Sequence, residues 1–81
     1  MALRFIAKDP NTQTGQSPTA WVDEENADLV LQGWRADGAT QDECRETGPV
    51  PDHETVIRIP ARMVPAIREA CDVAEQRARL R

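Results

Sequence analysis

Apolar and polar positions alternate from Leu3 to Lys8, with Leu3, Phe5 and Ala7 on one side and Arg4, Ile6 and Lys8 on the other. A period of two predicts a first strand with at least one buried face. The stretch from Asp9 to Pro18 holds two prolines and no large apolar residue, which predicts a loop. Thr19 to Asp23, around Trp21 and Val22, is a second strand, and Asp28 to Arg35, with Leu29, Val30, Leu31 and Trp34, is a third. The polar turn between them, Glu24 to Ala27, makes a β-hairpin the economical arrangement. Gly33 weakens a regular strand, so it predicts a bulge or the close approach of another backbone.

The pattern then lapses. Residues 36–54 form a polar, acidic linker or loop with Gly38, Gly48, Pro49 and Pro51, in which Asp42 to Glu46 could make a single helical turn. Thr55 to Ile59 returns to β-branched residues and predicts a short fourth strand, ended by Pro60. Pro65 belongs in the first turn of a helix, because there its missing N–H costs nothing. A loose turn at Pro60–Met63 and regular helix from Val64 to Arg79 follow. Val64, Ile67, Cys71, Ala74 and Ala78 mark the expected buried stripe, with Met63 and Ala70 at its edge. The predicted fold is α+β: a small antiparallel sheet of three to four strands with one C-terminal helix packed on it, in the order β-β-β-β-α.

Length changes this picture by weakening the core. The 81 residues make one domain, 1–81, with few large apolar side chains, no tyrosine and one phenylalanine. So small a chain buries a modest fraction of its surface and gains from a staple, of which pairing with a second copy is the expected one. The net charge of −4 is also unevenly spread. Met1 to Glu54 carries eleven acids against four bases, whereas Thr55 onward carries three acids against six arginines. Such polarity steers charged partners without specifying a fold. Neither a signal peptide nor a membrane span is readable in the N-terminal residues, so the expected setting is cytoplasmic, with Cys44 and Cys71 reduced.

Candidate chemistry narrows function by exclusion. Cys44, His53 and Cys71, with Asp52, lack the close-pair spacing of structural zinc, and Cys71 reads as a small core residue on a helix. The acidic hairpin turn lacks the glycine and oxygen spacing of a calcium loop. Ser17 has no histidine near it in sequence, and Asp42, Glu43 and Glu46 around Cys44 oppose thiolate formation. No glycine-rich phosphate loop occurs. The expectation is therefore no catalytic residues, no cofactor, no metal and no enzyme. What remains is a protein-interaction surface built from Trp21, Trp34, Asp42, Glu43, Glu46, Arg58 and Arg62. For Trp34 the simpler expectation is a core position under the helix; exposed, it is an anchor. The alternative is a small DNA-associated protein using the arginines of the C-terminal helix, although acids dilute that face and direct nucleic-acid contact is not favoured.

Four short segments carry a resemblance: Lys8-Asp9-Pro10, Ser17-Pro18-Thr19, Gln32-Gly33-Trp34 and Val56 to Met63 (VIRIPARM). In this order they resemble small uncharacterised actinobacterial proteins with a KDP…QGW…IPxRM pattern, often encoded beside helix-turn-helix regulators. The resemblance covers most of the chain apart from the linker and the last ten residues. It implies a cytoplasmic accessory protein, developmental or antitoxin-like, whose protein partner is such a regulator; the homodimer is expected from the small core, not from the resemblance. It implies no catalytic residue.

Overall fold

Three strands, β1 (Leu3–Lys8), β2 (Thr19–Asp23) and β3 (Asp28–Gln32), pair antiparallel in the order β1-β2-β3. They belong to a computed structural model that describes residues 2–11 and 17–80. Part of the loop predicted between Asp9 and Pro18, residues 12–16, lies outside the described residues, as does Arg81 of the basic cluster. The β2–β3 hairpin is the predicted one, and its acidic turn has a backbone purpose. The Asp23 carboxylate accepts from Glu25 N at 2.9 Å, and the Asn26 side chain accepts from Asp28 N at 3.1 Å. Such side-chain bonds imitate backbone turn bonds. Ala27 closes the turn in the left-handed region, with φ 66°.

Strand β1 departs from plain alternation. Phe5 pairs with Trp21 and Ala7 with Ala20, so Ile6 is the extra residue of a bulge. The bulge turns Ile6 toward the core and leaves Leu3 and Phe5 largely exposed on the other face. The third strand is likewise interrupted at Gly33. Beyond it, β4 (Trp34–Arg35) pairs antiparallel with β5 (Ile57–Arg58) as a second, two-stranded ribbon. A Cβ at position 33 would stand 2.7 Å from Ile59 Cδ1 and 2.9 Å from the Arg58 carbonyl oxygen. The close backbone approach predicted for Gly33 is present. Gly33→Ala is expected to destabilise the fold by about 1–3 kcal/mol through this overpacking. A urea titration checks it, and an unchanged midpoint would refute the contact.

The segment 36–54, read from sequence as a polar linker, contains a helix, α1 (Gly38–Arg45). It buries no residue, so it lacks the apolar stripe by which helices are recognised. Hydrogen bonds hold it instead: Asp37 caps its start by accepting from Thr40 N at 2.8 Å. Gln41 Nε2 donates to the Ala36 carbonyl at 2.7 Å.

A single 3₁₀ turn, Ala61–Met63, leads into α2 (Val64–Arg79), with Pro65 in its first turn as predicted. Helix α2 covers the sheet face carrying Ala20 and Val22, and these with Ala70 and Ala74 form the core. Ile6, Leu31, Ile67 and Val73 pack around them. The buried stripe therefore runs Met63, Ile67, Ala70, Ala74, turned from the predicted one. Ala70 is fully buried, whereas Val64 is 47% exposed and Ala78 is exposed. Small side chains on this flank let the helix settle close to β2, and that close packing decides the phase.

Candidate functional site

The residues of the four resembling segments converge at the end of the sheet where β1, β2 and the start of α2 meet. Asp9 follows β1, and its N–H donates to the Pro18 carbonyl at 2.9 Å, joining the two ends of the loop. Its carboxylate is 2% exposed and accepts a forked pair from Arg62. Arg62 Nε lies 2.8 Å from Oδ1 and 2.9 Å from Oδ2, and Nη2 lies 2.6 Å from Oδ2. Asn11 N adds a fourth bond to Oδ1 at 3.0 Å. Charge-assisted forks of this kind fix both partners in orientation. The Arg62 fork, with the Asn11 N–H behind it, holds the Asp9 carboxyl below its usual value, while the same bonds raise Arg62.

Arg62 also lies over the Trp34 ring, 5.7 Å from guanidinium carbon to centroid, within cation–π range. Beside this clasp the Ser17 carbonyl accepts from the Thr19 hydroxyl at 2.9 Å and from Gln32 Nε2 at 3.1 Å. Ser17 Oγ is buried with no hydrogen-bond partner among the described residues. Serine, threonine, glutamine and aspartate here tie the loop to the sheet.

Of the residues expected to meet a partner, the structure brings Trp34, Arg58 and Arg62 together, carries Asp42, Glu43 and Glu46 on or beside α1, and places Trp21 elsewhere. Trp34 stands across the ribbon from Arg58, and Arg58 Nη2 donates to the Thr40 hydroxyl at 2.7 Å, fastening α1 to β5. Asp42 pairs with Arg45 on α1 at 3.0 Å, and Glu43 and Glu46 are exposed near it. Asp37 at the start of α1 is held below its usual pKa by the Thr40 backbone N–H and then by the Thr40 hydroxyl. Trp34 is 45% exposed, which corrects its simpler placement in the core under the helix. Trp21 belongs to a different surface. It pairs with Phe5 and Val30 on the sheet face away from α2.

No family model, no curated protein and no solved structure matches the chain. The geometry therefore has to carry the argument.

Asp9 is absent from the residues expected to form the site: from sequence it is the start of a loop and part of the resembling Lys8-Asp9-Pro10 segment, with no role of its own. Fifty-three residues separate it from Arg62, and neither neighbourhood signals the other. Among the described residues no group of three or more His, Cys, Asp or Glu side chains is placed to hold a metal ion. Both cysteines are free and half-buried, Cys44 on α1 and Cys71 on α2. His53 is exposed and lies 3.9 Å from Glu54. No helix among the described residues is long and apolar enough to cross a membrane.

The basic cluster is largely engaged within the fold. Arg62 is in the clasp, Arg77 Nε donates to the Glu24 carbonyl at 2.7 Å, and Arg79 meets Glu75 at 3.7 Å in the predicted i,i+4 order.

Proposed function

We propose that this chain is a non-enzymatic, cytoplasmic accessory module that docks a protein partner, a DNA-binding regulator of the helix-turn-helix class, while associating with a second copy of itself. The observation that carries the reading is Trp34, a half-exposed aromatic held in place by an arginine that is itself locked on a shielded carboxylate. Aromatic anchors whose conformation is fixed before binding contribute most at interfaces, because little further ordering is needed. Arg58 lies across the ribbon from Trp34, and its bond to Thr40 fastens to this ribbon the helix α1 that carries the acids Asp42 and Glu43, with Glu46 at its end. Trp21 leaves this surface in the proposal, because it stands on another face.

The DNA-associated alternative gains no support from Arg62, Arg77 and Arg79, whose partners lie within the fold. The class of regulator rests on the resemblance alone. The test is direct binding to a regulator encoded beside this chain. We expect Trp34→Ala to weaken that binding by at least about tenfold, a hot-spot effect, while the chain stays folded with a smaller loss of melting temperature than Arg62→Ala. Equal binding by the variant would overturn Trp34 as the anchor, and no binding by either form would overturn the partner.

A further inference from the structure

Among the described residues both outer strands of the three-stranded sheet have one unpaired edge, but only one edge is guarded. Strand β1 carries Arg4, Lys8 and the bulge at Ile6, devices that discourage strand addition. Strand β3 reads Asp-Leu-Val-Leu-Gln, uncharged from Leu29 to Gln32 and without a bulge in its pairing to β2. Past Gly33 the chain is closed by β5 and Ile59, so the open edge is confined to residues 28–32. Against this edge runs an apolar groove of about 420 Å³, lined by Leu31, Ile59, Val64, Ile67, Arg68 and Cys71.

We infer that β3 pairs antiparallel with β3 of a second copy, each copy placing Leu29 in the groove of the other. This deepens the self-association in the proposed function and rests on that part of it. The occupant follows from self-complementarity. Leu29 pairs with Val22 and Leu31 with Ala20, so both leucines point to the α2 side. In a two-fold register centred on Val30, Leu29 of one copy falls opposite Leu31 of the other, at the mouth of its groove. Leu29 is 39% exposed, an apolar knob at the open edge. A two-fold contact uses the same patch twice, so knob and groove must both lie on one chain, as they do here.

Charge follows the same symmetry. Val64, Arg68, Cys71 and Glu75 succeed one another at i, i+4, i+7 and i+11, one line along α2 beside the groove. Across the two-fold the two α2 helices run antiparallel, and Arg68 of each meets Glu75 of the other. Arg68 has no ion pair among the described residues, and Glu75 holds only the exposed contact to Arg79. The spacing permits this. The β2 strands beneath the helices stand three strand spacings apart, roughly 14 Å. That gap suits leucines below and an arginine reaching a glutamate above.

The experiment is light scattering with size-exclusion chromatography over a concentration series, with circular dichroism to confirm folding. Wild type is expected as a dimer at micromolar concentration. Leu29→Lys, a charge on the bare edge, is expected to raise the dissociation constant by at least about tenfold while the chain stays folded. Arg68→Glu, on an exposed helix position, is expected to weaken the dimer several-fold, and Arg68→Glu with Glu75→Arg to restore it. Recovery in the double variant is the signature that a merely structural role would not give. A wild-type dimer that neither Leu29→Lys nor Arg68→Glu weakens would overturn this surface while leaving self-association intact. A wild-type monomer at all concentrations would overturn both, and would leave docking through Trp34 to be judged by its own binding test.

Discussion

Arg62→Ala is expected to lower the melting temperature by about 5–10 °C, against less than about 2 °C for Arg45→Ala, on the scale usual for a domain of this size. The two arginines make ion pairs of similar length but different setting. Arg45 and Asp42 both face solvent, and exposed pairs of that kind contribute little. Asp9 is shielded, and without Arg62 its charge keeps, among the described residues, only the Asn11 N–H. Arg62→Lys is expected to fall between wild type and Arg62→Ala, since an ammonium cannot reproduce the two-pronged bond to both carboxylate oxygens.

The same pair sets a pH dependence. The Asp9 carboxyl is held below its ordinary value of 3.8 in the folded chain, chiefly by Arg62. The unfolded chain therefore binds a proton more readily, and stability rises with pH through that window. The contribution is fully present above about pH 5 and is lost as pH falls through the folded value. Asp9→Asn should be less stable than wild type at pH 7 and lose less between pH 5 and pH 2. Its slope should not vanish, because Asp37 is shifted in the same direction. Thermal unfolding followed by circular dichroism across that range checks both statements. Parallel pH profiles for Asp9→Asn and wild type would sink the assignment.

How far the sequence foretold this depends on whether each feature announces itself locally. Helix α2 has the predicted bounds because two prolines bracket its start and a regular apolar period runs through it. The hairpin was equally legible, with apolar runs on both sides of a short polar turn. Helix α1 was not, since it has no apolar face and only the cap from Asp37 to Thr40 marks its start. The bulge at Ile6 was hidden because Leu3, Phe5 and Ala7 alternate as a regular strand would. On α2, alanines flank both sides of the apolar stripe, so hydrophobicity alone did not choose between Val64 and Ala70 for burial. The candidate surface is half legible: Trp34, Arg58 and Arg62 stand out by residue type, whereas the Asp9 carboxylate that locks Arg62 is a long-range contact with no local trace.

Met63→Ala is expected to be the most destabilising truncation of the single residues considered, at about 2–5 kcal/mol for a buried methionine. Met63 is 1% exposed and is among the largest fully buried side chains, whereas most other buried apolar residues are alanines. A chain of 81 residues has a total stability of roughly 4–12 kcal/mol, so the loss is a large share of it or nearly all. Urea denaturation provides the measurement, with Leu80→Ala, at a 78% exposed position, as the near-neutral comparison. A difference below about 0.5 kcal/mol between the two would contradict the placement of Met63. Met63→Leu preserves volume and is expected to cost less than about 1.5 kcal/mol. It should also leave Arg62 on Asp9 and Trp34 under Arg62, so partner binding should persist in this variant and fail in Trp34→Ala. That contrast separates packing at position 63 from recognition at position 34, although Arg62, next to Met63 in the chain, lies over the Trp34 ring.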